Sequence, residues 1–382
     1  MRLHFTAAEA SGDLLARETI DAIRALQSDI EISGIGGSEM AAAGVESPID
    51  ITPLSILGLV EGLKAYPTVI RLADAAADHI IASDPDAAVL VDSWGFMIRL
   101  AERLAKRAPH IRLIKLVGPQ VWAMRAGRAG KLAARVDHVL CLHEMERPFY
   151  EGHDVKVTVI GNPALSRAEP GDASGFRARH GLDPARPLLL VLPGSRPAEI
   201  RSVAPVLVDA ARRLQGENSD LQIVAAPTDS MSALFAETFP DARETMTLVS
   251  ASAERFDAMA AADLALAASG TVTSELAMQD TAMLVGYRVG AITWLLARHL
   301  LYKPRHITML NIAACDTEIV PEFVQHRLDA GLIADTAGEL LADPERRAAQ
   351  VRAQRDALKA MGQGGRPAPE VAAEAILADL SG

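Results

Sequence analysis

RLHFTAAEASGDLLARETIDAIRAL, residues 2–26, reads as a strand, a polar turn and a helix in direct succession. RLHFTAA has the near-continuous apolar character of a strand covered on both faces. EASGD interrupts it with small and acidic residues, and LLARETIDAIRAL then carries helical periodicity. Strands that run into helices in this way build parallel sheets, and the connection to the next strand is long enough for a right-handed crossover.

The unit recurs along the chain. Short strands are expected at ISGIGG (32–37), AAVLVD (87–92), IRLIKLV (111–117), HVLCL (138–142) and VTVIG (157–161), with helical stretches around 65–81 and 97–107. After GNPAL (161–165) the pattern loosens into the Gly- and Pro-bearing SRAEPGDASGFRARHGLDPARP, which reads as an interdomain linker. A second series follows at PLLLVLPGS (187–195), LQIVAAP (221–227), TMTLVS (245–250), DLALAAS (263–269) and AMLVGY (282–287). Beyond it the chain is mostly helical, and GQGGRPAP (362–369) detaches a last short helix. The expectation is an α/β protein of two Rossmann-like domains facing across a cleft. Residues 1–168 form the first domain and 169–361 the second, while the helix in 362–382 packs on the first domain or on a partner.

Composition agrees. At 382 residues the chain exceeds the size at which one core stops growing. Apolar residues make up 49% and charged residues 23%, which is globular, and aromatics are only 4%, so small aliphatic side chains fill the core. A net charge of −11 argues against non-specific nucleic-acid binding, which draws its affinity from Lys and Arg. Cys141 and Cys315 have no CxxC spacing and read as reduced thiols. The first strand runs straight into Glu9 and Asp13, so no secretory segment is read, and no apolar run approaches the ~20 residues of a membrane span.

In open parallel sheets ligands bind beyond the carboxyl ends of the strands. LPGSRPAE (192–199) lies there: Gly194 permits a tight turn, Ser195 offers a hydroxyl or cap, and Arg196 a fixed positive charge. The backbone N–H groups of this turn and Arg196 suit a diphosphate, though a loop with a surface arginine fits the same letters. The spacing is neither that of a P-loop nor GxGxxG. In ASGTVTSELA (268–277), Ser269, Gly270 and Thr271 make a small-residue turn, and Glu275 either accepts ribose hydroxyls or favours a helix dipole. Together the two loops favour a nucleotide diphosphate site in the second domain.

The first domain presents carboxylates instead. Glu9 and Asp13 suit sugar hydroxyls, although Asp13 equally stabilises a helix start. Asp92 ends a strand and is placed to deprotonate an acceptor hydroxyl, or is there by chance. In GPQVWAMRAGRAGK (118–131), Trp122 stands beside Arg125, Arg128 and Lys131, either as a sugar and phosphate contact or as an anchored loop. GLVEGLKAYPTVIRL (58–72) and VGYRVGAITWLLARHLLYKPRH (285–306) mix apolar and basic residues. Trp294, Leu295, Leu296, Arg298, Leu300, Lys303 and Arg305 suit an anionic lipid surface or a core helix with a polar turn.

The ordered set of motifs resembles the lipid-A-disaccharide synthase family over essentially the whole chain. The matching pieces are EASGD (9–13), GIGG..M (34–40), LGLVE (57–61), VD (91–92), VWAMR (121–125), GNP (161–163), LPGSR..E (192–199), ASGT...E (268–275), LN (310–311) and PEFVQ (321–325). The resemblance implies a GT-B type glycosyltransferase. It would transfer diacylglucosamine with inversion from UDP-2,3-diacylglucosamine to the 6-hydroxyl of 2,3-diacylglucosamine 1-phosphate, giving UDP and a β-1,6 tetraacyl disaccharide 1-phosphate. It implies Asp92 as base, with Glu9, Ser11, Gly12, Asp13, Trp122 and Arg125 on the acceptor side. On the donor side it implies Gly194, Ser195, Arg196, Ser269, Gly270, Thr271, Glu275, Asn311, Glu322 and Gln325. It further implies no metal or cofactor, action at the cytoplasmic face of the inner membrane, and a homodimer as an open expectation.

The chain departs from the family pattern in four places. Ala8–Glu9 replaces GE, DSWGFM replaces a DxPDFN-like run, Asn162 replaces the histidine of GHP, and AACD follows Asn311 in place of AGR. Most lie on the acceptor side. The competing readings are another UDP-sugar transferase, a UDP-N-acetylglucosamine 2-epimerase, or a non-catalytic nucleotide-sugar or lipid-binding module. A two-lobed periplasmic binding protein is disfavoured by the missing secretory segment.

Overall fold

The computed structural model describes residues 1–50, 66–123, 125–167, 169–290 and 304–380. The chain divides into two compact units, Met1–Ser166 with the segment from Gly364 onward, and Arg167–Gln363.

In the first unit the strands are β1 (Arg2–Ala7), β2 (Glu31–Ile35), β3 (Ala87–Val91), β4 (Arg112–Leu116), β5 (His138–Cys141) and β6 (Lys156–Val159). They form one parallel sheet in the order β2-β1-β3-β4-β5-β6. Successive strand residues point to opposite faces, so each strand feeds two cores. Ala88, Leu90, Leu113 and Val139 join the helices Tyr66–Ser83 and Trp94–Arg107 on one face. Leu3, Phe5, Val89, Ile114 and Leu116 join the helices Ala10–Leu26 and Ala368–Leu380 on the other. The helix Ala10–Leu26 buries Leu15, Ala16, Thr19, Ile20 and Ile23, the stripe its periodicity implies. The C-terminal helix returns to this unit and packs beside it.

The second unit repeats the plan with β7 (Leu188–Leu192), β8 (Gln222–Ala225), β9 (Thr247–Leu248), β10 (Leu264–Ala268), β11 (Met283–Tyr287) and β12 (Glu322–Val324). The order is β12-β11-β10-β7-β8-β9, again parallel. TMTLVS contributes only two residues of strand, and β12 is too short to be read from the sequence. The result is a pair of Rossmann-like α/β units of the GT-B type.

Each sheet grows in both directions from its first strand. The order therefore reverses between β1 and β3 in the first unit and between β7 and β10 in the second. Loops at such switch points diverge and leave room for a ligand. The turns after these four strands are EASGD, Asp92–Ser93, PGSR and SGT, the stretches that carry most of the expected chemistry.

Among the described residues no helix is long and apolar enough to cross a membrane. LGLVE (57–61), Trp294, Leu295, Leu296, Arg298, Leu300 and Lys303 lie outside the described residues, as does Met124 of VWAMR.

Candidate functional site

In the first unit the switch point brings Asp92 against the turn after β1. Asp92 and Ser93 both adopt left-handed backbone, with φ of 48° and 36°. Such residues persist where their surroundings over-determine them, commonly at functional sites. The Ser11 hydroxyl lies 3.5 Å from Asp92 Oδ2. A Cβ at Gly12 would stand 3.5 Å from Asp92 Cβ, ordinary van der Waals contact, so the two turns lie side by side. Glu9 is exposed at the start of the helix Ala10–Leu26 and makes no capping bond with its side chain.

Asp13 stands in the first turn of its own helix, where its charge suits the helix start, and it has a second role. It is buried, and its carboxylate accepts the amides of Gly37 and Glu39, each at 2.8 Å, capping the short helix Ser38–Ala42. This engagement also explains GIGG..M. A Cβ at Gly37 would lie 2.7 Å from Asp13 Oδ2, and Cβ atoms at Gly34 and Gly36 would collide with Met40.

The basic loop after β4 is organised around a tryptophan that the sequence reading did not select. The Arg128 guanidinium sits 5.1 Å from the centroid of Trp94, two residues beyond Asp92. Burial, followed by the neighbouring charge of Arg125, lowers the Arg128 pKa from its ordinary value. Arg125 is exposed with φ of 54°. Among the described residues neither arginine has a carboxylate partner. Trp122 is half-buried, and its Nε1 has no hydrogen-bond partner among the described residues. Lys115, in the middle of β4, was also passed over. IRLIKLV holds two charges, Arg112 exposed at its start and Lys115 in its middle, and the central one was the signal, since a cation inside a central strand must be paired or used.

In the second unit a pocket of about 250 Å³ opens between the turns after β7 and β10. Gly194, Ser195, Ser269, Gly270, Thr271 and Glu275 line it. Glu199, Thr228, Arg255 and Met259 join them; Thr228 lies just past β8, where the carboxyl-end rule points, whereas Arg255 left no sequence signal. Gly194 has φ of 121°, and a Cβ there would lie 2.5 Å from Glu199 Cβ. A Cβ at Gly270 would meet no heavy atom within 4 Å, so open space lies beside this turn. Glu275 pairs with Arg255 at 3.2 Å; burial raises its pKa and Arg255 opposes the shift.

One expectation for the PGSR turn is corrected. Its amides do not stand free for a diphosphate, because Glu199 Oε2 accepts those of Ser195 at 2.8 Å and Arg196 at 3.3 Å. The Arg196 side chain itself is 80% exposed, with Nη1 3.9 Å from Glu199.

Asn311, Glu322 and Gln325 are engaged inside the protein. Asn311 is fully buried: its Oδ1 accepts the amides of Ile319 and Val320 at 2.9 and 2.8 Å. Its Nδ2 donates to the Val320 carbonyl and Glu322 at 2.8 and 2.9 Å, which exhausts the amide. Glu322 also accepts the amides of Ile307 at 3.0 Å and Thr308 at 2.7 Å. Gln325 donates to the Val289 carbonyl at 3.0 Å and accepts the Val289 amide at 2.9 Å. Expected as donor contacts, these three side chains brace the segments beside β11 and β12.

Among the described residues no group of three or more His, Cys, Asp or Glu side chains is arranged to hold a metal. Both cysteines are free, Cys141 buried and Cys315 exposed.

The sequence matches the family model for lipid-A-disaccharide synthetase over residues 3–376. It is 36% identical to the lipid-A-disaccharide synthase of Ruegeria pomeroyi, with 100% of this chain and 96% of the relative aligned. It is 34% identical to that of Rhodospirillum centenum, with 97% and 92% aligned. Among solved structures it is similar to the UDP-GlcNAc 2-epimerase of Neisseria meningitidis bound to UDP-GlcNAc (TM-score 0.59, 12% identity, 100% of each chain). It is also similar to S. aureus MnaA with UDP (TM-score 0.61, 12% identity, 99% of this chain and 95% of the other). At those identities the structural likeness is one of fold.

Proposed function

The chain belongs to the lipid-A-disaccharide synthetase family, and on that premise we propose which substrates it joins and which residues carry the transfer. The protein is a glycosyltransferase of lipid A synthesis, acting on a UDP-sugar and a lipid. The donor is UDP-2,3-diacylglucosamine and the acceptor 2,3-diacylglucosamine 1-phosphate. The acceptor 6-hydroxyl attacks the anomeric carbon, UDP leaves from the opposite side, and a β-1,6 tetraacyl disaccharide 1-phosphate forms.

The observation that carries the residue assignment is Asp92, held in left-handed backbone at the switch point of the first unit, beside Ser11. A carboxylate in this place takes the proton of the attacking hydroxyl. Exposed Glu9 and the Ser11 hydroxyl are open to the acceptor sugar, while Gly12 and Asp13 shape and hold the turns around it. Arg128, set against Trp94, and the exposed Arg125 provide positive charge for the acceptor phosphate. Charge developing on the departing UDP is met by the Arg196 guanidinium and the exposed turn of Gly270 and Thr271. Glu275 exchanges Arg255 for the ribose hydroxyls. Asn311, Glu322 and Gln325 support this unit from within.

Both substrates carry acyl chains, and the protein works at the cytoplasmic face of the inner membrane, drawing them from its surface. The test incubates the full chain with both substrates in detergent plus EDTA and follows products by mass spectrometry. The tetraacyl disaccharide phosphate and UDP are expected. Absence of that product, with EDTA or with added magnesium, rejects this substrate pair.

A further inference from the structure

Lys115 lies on β4, in register with Leu90 of β3 and Val139 of β5, and is 1% exposed. It shares a sheet face with Leu113, whose neighbours are apolar. A charge in such a place is costly unless every donor is matched. All three are: Nζ donates to the carbonyls of Asp92 at 2.6 Å, Leu90 at 3.1 Å and Leu116 at 3.2 Å. No side-chain carboxylate is among these partners. The three bonds go to the backbone that forms and flanks the turn after β3.

That turn is strained. Asp92 and Ser93 are left-handed, a conformation that non-glycine residues hold only when fixed from outside. The Asp92 amide is tied to the Leu116 carbonyl at 2.8 Å, and Lys115 ties the Asp92 carbonyl. Both peptide groups of Asp92 are therefore anchored to β4. The carboxylates of Asp92 and Glu9 favour the charged ammonium, against burial that lowers its pKa to about 7. An apolar residue would pack this strand without the cost of a buried charge, so sheet stability alone does not account for a lysine here.

We infer that Lys115 is a positioning residue for the transfer: it fixes the left-handed turn that aims the Asp92 carboxylate. The inference rests on the proposed role of Asp92 as base, and extends it to a residue that touches neither substrate.

A double-mutant cycle on the full chain tests it, using Lys115→Met, Asp92→Asn and the pair, with donor and acceptor varied separately. Lys115→Met is expected to lower kcat by about 30-fold or more and leave both KM values within about twofold. In the Asp92→Asn background it should change the remaining rate by less than about twofold, because the group it positions is gone. If Asp92→Asn is impaired and the two losses simply multiply, Lys115 acts as a packing residue and the inference fails while the base assignment stands. If Asp92→Asn keeps its kcat, the base assignment fails and this inference falls with it. Should Lys115→Met not fold, Lys115→Gln enters the same cycle.

Hydrogen exchange gives a readout that needs no turnover. The Asp92 amide should exchange about tenfold faster in Lys115→Met, while peptides from β1 are unchanged. Equal protection at Asp92 in both proteins overturns the proposed pinning.

Discussion

The Glu199 carboxylate accepts the Ser195 amide at 2.8 Å, so the turn after β7 already holds an anion of its own. The second amide of that turn, on Arg196, is taken by the same oxygen at 3.3 Å. In the function proposed above, phosphate recognition at this turn would fall to the Arg196 side chain, which is 80% exposed. Replacing Arg196 by Ala should raise the inhibition constant of UDP by about tenfold or more, the scale of one charge-assisted hydrogen bond. The melting temperature should hardly move, because an exposed side chain is removed. An unchanged inhibition constant rejects the diphosphate role.

Glu275 offers a sharper handle on the nucleotide. It is only 20% exposed and paired with Arg255 at 3.2 Å, so its carboxylate already has a partner. Ribose hydroxyls would compete for that carboxylate. The wild-type protein should bind UDP more tightly than 2′-deoxy-UDP, and Glu275→Gln should lose about tenfold in UDP affinity and most of that preference. Competition binding with the two nucleotides decides it. A preference that survives in Glu275→Gln places the ribose elsewhere.

The acceptor side makes a parallel prediction. Arg128 is packed over Trp94, itself two residues past Asp92, and shares its neighbourhood with Arg125. Arg128→Ala should raise the acceptor KM by about tenfold with the donor KM unchanged. The variant should also distinguish less between the acceptor and its dephosphorylated form. Steady-state kinetics with both acceptors provides the check, and undiminished discrimination removes Arg128 from the phosphate site.

The fold was legible because its signal is periodic. Apolar strands of about five residues alternate with amphipathic helices, and the four turns at the two switch points stand out as small or charged breaks. Individual roles were less legible, for a physical reason. A polar letter after a strand says that the side chain needs a partner, without saying whether that partner is a ligand or the protein. Asp13, Asn311, Glu322 and Gln325 all found theirs inside, as backbone amides, carbonyls or one another. Lys115 shows the converse: a charge within an apolar strand was read as part of the strand, although its burial tied it to Asp92. Trp94 escaped notice because its arginine comes from a loop 34 positions further along the chain.

The C-terminal helix is held by a buried polar knot whose pH dependence can be worked out. The Asp379 carboxylate meets His138 Nδ1 at 2.6 Å and Lys156 Nζ at 2.8 Å, while His138 Nε2 lies 2.9 Å from the Thr158 hydroxyl. Burial lowers the His138 pKa, although Asp379 pulls the other way. A neutral ring satisfies both contacts, donating to Asp379 and accepting from Thr158. Burial tends to raise the Asp379 pKa, yet Lys156 and His138 bring it below the usual carboxylate value.

For His138, the unfolded chain takes up a proton near pH 6.5 before the folded protein does, so stability declines as pH falls from there. For Asp379, the stabilising contribution is present above the unfolded value near 3.9 and is lost as pH falls through the lower folded one. Both groups destabilise the protein in acid, His138 first. Buried His4 and His143, lowered to about 3 and about 4, act in the same direction. Glu146, raised by burial to about 7, acts oppositely as pH rises toward that value. Comparison between variants isolates the knot. His138→Gln can keep a donor and an acceptor without titrating, and should flatten the loss of stability below pH 6.5 relative to wild type. Asp379→Ala leaves the buried His138 Nδ1 without its acceptor, while half-exposed Lys156 turns to solvent, and should cost about 1–3 kcal/mol at neutral pH. Denaturant unfolding at several pH values measures both effects; parallel wild-type and His138→Gln curves from pH 7 to 5 would remove His138 from the acid response.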